Sequence, residues 1–82
     1  MNAKQLTKYR GLKASLRVAT EEYSLAVKAH IYACDNYLLN EEGHTSEWYA
    51  TTRMTDQLCL DADEKVRVAY RAMVDYYNEV TK

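Results

Sequence analysis

The sequence predicts an all-α fold: two long antiparallel helices, over about residues 3–39 and 46–80, forming a helical hairpin that associates into a bundle. Three observations predict it. The 82-residue chain has no proline and only two glycines, Gly11 and Gly43. Gly43 lies just past the midpoint, inside the polar run Asn40-Glu41-Glu42-Gly43-His44-Thr45-Ser46. On each side of it, apolar side chains recur at steps of three and four over more than thirty residues, the spacing of one helical face. The whole chain reads as a single domain.

The first helix is expected to start near residue 3, with Asn2 as its cap and Gln5 three positions on, in capping-box spacing. Its apolar stripe runs Tyr9, Leu12, Leu16, Ala19, Tyr23, Val27, Ile31, Cys34 and Leu38. The mean step of about 3.6 is that of a straight helix rather than of a 3.5-residue supercoil. Leu6, Leu25, Ala26, Ala29, Tyr32 and Tyr37 broaden this face, and a face so wide suits a bundle of three or four helices. Gly11 falls inside the helix, where it costs about 1 kcal/mol relative to alanine. It marks either a close helix approach or a tolerated defect.

In the connecting run, Asn40 or Gly43 can end the first helix in the left-handed conformation. Thr45 or Ser46 can cap the second, with Glu47 in its first turn. The second stripe runs Leu58, Ala62, Val66, Ala69, Met73, Tyr77 and Val80. Upstream it continues through Thr55, Thr51 or Thr52, and Trp48, so the core near the turn is thinner and more polar. Asp61 and Glu64 also stand in capping-box spacing, and a kink near residue 60 is the alternative to one continuous helix.

Composition narrows the function classes. A hairpin of 9.5 kDa buries one stripe per helix, and so small a core leaves apolar surface for a partner. Eight tyrosines and one tryptophan, with no phenylalanine, suit a surface that is covered at some times and wet at others. No apolar run is long enough for a signal segment or a membrane span, so a soluble, cytoplasmic protein is expected. Cys34 and Cys59 fall about seven residues out of register across the hairpin, ~10 Å at 1.5 Å per residue, and are expected as reduced thiols.

A net charge of −1 conceals segregation. Residues 1–20 hold Lys4, Lys8, Arg10, Lys13 and Arg17 and no acid, residues 21–64 are strongly acidic, and residues 65–82 return to basic. Folding at Gly43 gives a rod with a basic base and an acidic tip. Such a rod favours an antiparallel second copy, and a homo-oligomer built on an antiparallel dimer is expected; a solvated surface is the plainer reading.

The chemistry-bearing residues do not assemble into an enzyme. His30 and Cys34 have the i, i+4 spacing of two zinc ligands, but two more are lacking, and a cysteine beside a hydrogen-bonded histidine is the simpler reading. Glu41, Glu42, His44 and Glu47 lack the alternate spacing of a calcium loop. Nucleophile-elbow, phosphate-loop and dinucleotide motifs are absent from the sequence. No catalytic residue, cofactor or metal is therefore assigned. The candidate partner-binding residues are His44, Trp48 and Tyr49 at the tip and Tyr76 at the base, with Lys4, Lys8, Arg10, Lys13 and Arg17 as a basic patch. For Trp48, a plug at the end of the bundle is the plainer reading. The patch could meet an acidic protein, an anionic membrane surface or nucleic acid; a structural assembly role is a third reading.

In length, in its opening Asn2-Ala3-Lys4-Gln5-Leu6-Thr7-Lys8-Tyr9-Arg10, in helical character and in a histidine near mid-chain, the chain resembles the cytoplasmic antiholin (lysis-inhibition protein) of T-even bacteriophages. The resemblance implies a regulatory protein of the host cytoplasm that binds the cytosolic part of a holin and delays lysis. It also implies that His44 is a functionally sensitive turn residue.

Overall fold

The computed structural model describes residues 1–38 and 46–82. Two helices, α1 (Ala3–Leu38) and α2 (Ser46–Val80), pack antiparallel along most of their length. The hairpin is a rod with principal extents of 62 × 14 × 13 Å. The expected caps of the connection, Asn40, Gly43 and Thr45, lie outside the described residues.

The start of α1 is built as the sequence predicts. The Gln5 amide donates to Asn2 Oδ1 at 2.8 Å, and the Asn2 amide donates to Gln5 Oε1 at 3.0 Å. Two amides that the helix itself cannot pair are thus satisfied reciprocally. Glu47 falls in the first turn of α2, where a carboxylate opposes the positive end of the helix dipole. At the far end, the Thr81 amide and hydroxyl both donate to the Tyr77 carbonyl, at 3.1 and 2.6 Å.

The helix α2 runs without interruption through residues 59–64. Asp61 does not cap a new segment; its Oδ1 accepts from Gln57 Nε2 at 2.9 Å, one turn back. Gly11 marks no close approach, since a Cβ placed there would meet nothing within 4 Å.

The seam between the helices corrects the expected stripes. In α1 the inward positions are Gln5, Tyr9, Leu12, Leu16, Ala19, Ala26, His30 and Ala33, with Tyr23 at the seam's edge and 37% exposed, and with Val27 and Cys34 of the expected stripe half-buried beside them. In α2 they are Trp48, Thr52, Thr55, Cys59, Ala62, Val66, Ala69, Met73, Tyr76 and Val80. Both series alternate steps of four and three, a heptad spacing of about 3.5. His30 thus replaces Ile31, which is 53% exposed; Cys59 replaces Leu58, 49% exposed; and Tyr76 replaces Tyr77, 46% exposed. The reason is geometric. A straight 3.6-residue stripe drifts by about 20° per heptad, and two helices stay in contact over this length only along a 3.5-residue seam.

Small side chains dominate the tightest layers: Ala19, Ala33, Thr55 and Ala62 are the buried residues. Around Thr55 the core is polar, as expected for the half of the rod nearer the connection. The contacts Tyr9–Tyr77, Glu22–Lys65 and His30–Thr55 set one register throughout. In it Ala19 lies level with Val66, and Leu25 with Leu60. Cys34 and Cys59 are about eight residues out of register, and both are free thiols.

Candidate functional site

The heptad seam divides the rest of the hairpin into two lateral flanks. In antiparallel pairs, like flanking positions face one another across the seam. The Lys65 Nζ–Glu22 Oε2 contact at 3.8 Å is one such pair and identifies flank A. Along flank A stand Val18, Leu25 and Tyr32 of α1, spaced by heptads, with Met54, Leu58 and Val68 of α2. These six are 49–69% exposed. Flank B carries Ile31 of α1 and Tyr49, Leu60, Tyr70 and Tyr77 of α2, all 46–57% exposed. Toward the chain termini it also carries Arg10, Lys13 and Arg17.

The candidate partner-binding residues separate into two groups at opposite ends of the rod. From Trp48 to Tyr76 is 28 residues of one helix, roughly 40 Å. At the connection end, Trp48 is half-buried in the seam, with its Nε1 donating to the Cys34 carbonyl at 3.5 Å. Tyr49 is exposed, and its ring meets the Trp48 ring edge-on at 4.9 Å between centroids. Trp48 therefore anchors the end of the seam and holds Tyr49 outward on flank B. His44 lies outside the described residues.

At the terminal end, Tyr76 is half-buried in the seam, and Lys8 Nζ sits 4.6 Å from its ring centroid. Tyr77, next along the helix, packs its ring 5.7 Å from that of Tyr9, while Lys13 Nζ lies 5.7 Å from the Tyr9 ring. These cations rest on tyrosine faces, which attract them through the ring quadrupole. Lys4, Lys8, Arg10, Lys13 and Arg17 are all exposed. None has a carboxylate within ion-pair distance among the described residues; the pairs seen are Lys65–Glu22 and Arg67–Asp63.

Sequence reasoning singled out His30 and Cys34 but missed their partner. His30 Nδ1 lies 2.7 Å from Thr55 Oγ1, and His30 Nε2 lies 3.8 Å from Cys34 Sγ. The three form a polar chain across the seam. Among the described residues no group of three His, Cys, Asp or Glu side chains could hold a metal ion. Also among the described residues, no helix is long and apolar enough to cross a membrane.

The residues that sequence reasoning missed as surface are Val18, Leu25, Tyr32, Met54, Leu58, Leu60, Val68 and Tyr70. The signal that finds them is the heptad register: once the seam is placed, Val18, Leu25 and Tyr32 fall on one line beside it.

No protein-family model, no curated protein and no solved structure matches this chain.

Proposed function

We propose that this chain is a small non-enzymatic regulatory protein that acts by protein–protein interaction. The observation that supports this reading most is its uncovered surface. The accessible area is 6468 Å², whereas a compact monomer of 9.5 kDa exposes about 5050 Å². The rod shape leaves about 1400 Å² more area uncovered than a compact monomer would, and large apolar and aromatic side chains stand exposed along both flanks. The exposed tyrosines and arginines, Tyr49, Tyr70, Tyr77, Arg10 and Arg17 among them, are of the residue types enriched at interface hot spots.

Flank B and the connection end fit a heterologous partner. Tyr49 stands proud on the Trp48 anchor, and the terminal half offers tyrosines beside unpaired guanidinium groups. The resemblance to the antiholins of T-even phages supplies the finer form of the proposal. In that form the partner is the cytosolic part of a holin, the chain works in the host cytoplasm, and the outcome is delayed lysis. The test is capture from the native host on the immobilised chain, beside Tyr49→Ala, Trp48→Ala and His44→Ala. Loss of one specific partner with Tyr49→Ala supports the reading. A partner retained by all three variants removes the connection end from it.

One observation favours a second reading. Arg10, Lys13 and Arg17 form an exposed cationic row with no carboxylate partner among the described residues, and such a row can follow a phosphate backbone. Retention on DNA that falls steeply with salt, and that Arg10→Ala with Arg17→Ala abolishes, would favour nucleic acid. Absence of retention at low ionic strength removes it.

A further inference from the structure

We propose that flank A is the face through which two copies of this chain pair about a two-fold axis at Leu25 and Leu58, with Tyr32 of each copy seated in the groove beside Val18 of the other. This goes beyond the contact function above, which draws on exposed side chains of both flanks but places its partner at flank B and the connection end; loss of the dimer on flank A and loss of that partner are separate outcomes.

Flank A carries both halves of a self-complementary contact. One half is a groove. Beside Val18 an open depression of about 520 Å³ runs along the rod, lined by Ser15, Ala19, Glu22, Lys65 and Ala69. It exists because the seam there is built from small residues: Ala19 is buried and Ala69 half-buried, and neither fills the space between the helices. The other half is a knob. Tyr32 is the most exposed large apolar side chain of the described residues, at 69%. It stands on the same flank as the groove, two heptads from Val18, which is about 21 Å along the helix.

Leu25 is the midpoint of that interval, one heptad from each. A two-fold axis at the level of Leu25, which falls near residue 60 of α2 with Leu58 beside it, superimposes each copy's Tyr32 on the other copy's groove. Met54 of one copy then lies against Val68 of the other by the same operation. An isologous interface needs this relation, in which residue i meets residue j and j meets i. The tyrosine hydroxyl reaches a polar rim, since Ser15, Glu22 and Lys65 surround the groove.

Area and charge agree with this occupant. A stable interface buries about 800 Å² per partner. One long side of the rod, 62 by 14 Å, presents on the order of 870 Å², within the excess of about 1400 Å² that a compact monomer would not show. The two-fold axis runs the copies antiparallel. It therefore points the basic first twenty residues of each copy toward the acidic half of the other, a long-range bias toward this orientation over the parallel one, with Arg10, Lys13 and Arg17 on flank B outside the contact itself.

The experiment is sedimentation equilibrium of the full chain, with helicity followed by circular dichroism. The wild type is expected as a dimer whose dissociation constant rises with salt. Leu25→Glu places two carboxylates together at the axis and is expected to weaken the dimer by at least about 100-fold, with helicity unchanged. Leu60→Glu, on flank B, is expected to leave it intact. A variant with Cys34→Ala and Cys59→Ala keeps the test independent of folding defects. In that background Leu25→Cys is expected to cross-link to itself on oxidation, and Val18→Cys only with Tyr32→Cys. A wild-type monomer, a dimer broken by Leu60→Glu but not by Leu25→Glu, or self-cross-linking at Val18 in place of Leu25 would each overturn the proposal.

Discussion

His30 and Thr55 meet across the seam at 2.7 Å, Nδ1 to Oγ1. Thr55 Oγ1 also lies 3.1 Å from the carbonyls of Thr51 and Thr52. The Thr55 hydroxyl thus meets the His30 ring and two carbonyls of its own helix, and the other ring nitrogen, Nε2, lies 3.8 Å from Cys34 Sγ. This polar chain is the point where the register of α1 against α2 is specified by direction rather than by apolar contact alone.

Removing one side of that bond should cost more than removing both. Thr55→Val keeps the shape and deletes the hydroxyl, leaving His30 Nδ1 without its partner across a half-buried seam; a loss of about 1–3 kcal/mol is expected. The double variant His30→Leu with Thr55→Val should recover a large part of it. Urea denaturation of the four proteins measures the coupling. Strict additivity would show that the bond carries no energy.

The heptad seam makes opposite demands on neighbouring residues of α1. Ala33 is 6% exposed against α2, and Ala33→Leu should overpack the seam at a cost of about 1–3 kcal/mol. Ile31, two positions earlier and 53% exposed, should tolerate Ile31→Ala within about 0.5 kcal/mol. A straight 3.6-residue stripe would reverse the order. Thermal unfolding monitored at 222 nm decides between them.

Gly11→Ala should stabilise the chain by up to about 1 kcal/mol. The position is helical and exposed, and the added Cβ meets no atom within 4 Å. The unfolded chain loses freedom and the folded one loses nothing. A lower midpoint in urea would mean that the glycine is held for a contact with another molecule.

Asn2→Ala removes the Oδ1 acceptor of the Gln5 amide, while the backbone amide at position 2 keeps Gln5 Oε1 as its acceptor. A loss of about 1 kcal/mol is expected, felt first as fraying of α1. Amide hydrogen exchange at Gln5 and Leu6 should quicken well before the centre of the helix changes.

Much of the architecture was legible along the chain, and for local reasons. A cap needs a side chain three residues from an amide, so Asn2 and Gln5 announce theirs. Two long periodic segments without proline, parted by a polar run with a glycine, announce two helices. Side-chain facing was less legible. Neither Ile31 nor His30 is out of place in a helix by its spacing, and hydrophobicity favours the isoleucine. Only contact with a second helix at fixed register turns His30 inward, and Thr55 then rewards it with a hydrogen bond. The same applies to Leu58 against Cys59 and to Tyr77 against Tyr76. The contact surfaces were legible as residue types but not as places, because their position follows from that of the seam.

The sequence by itself determined the helical class, the two helix spans, the cap of α1 and the segregation of charge, because these depend on residues within a turn or two of one another. The tertiary structure alone decided that the seam follows the heptad, that α2 runs straight through Asp61, and that Val18, Leu25 and Tyr32 stand in line on a free flank. Two helices touching over some 60 Å must wind about one another to stay in contact, and that winding assigns every side chain to the seam or to a flank.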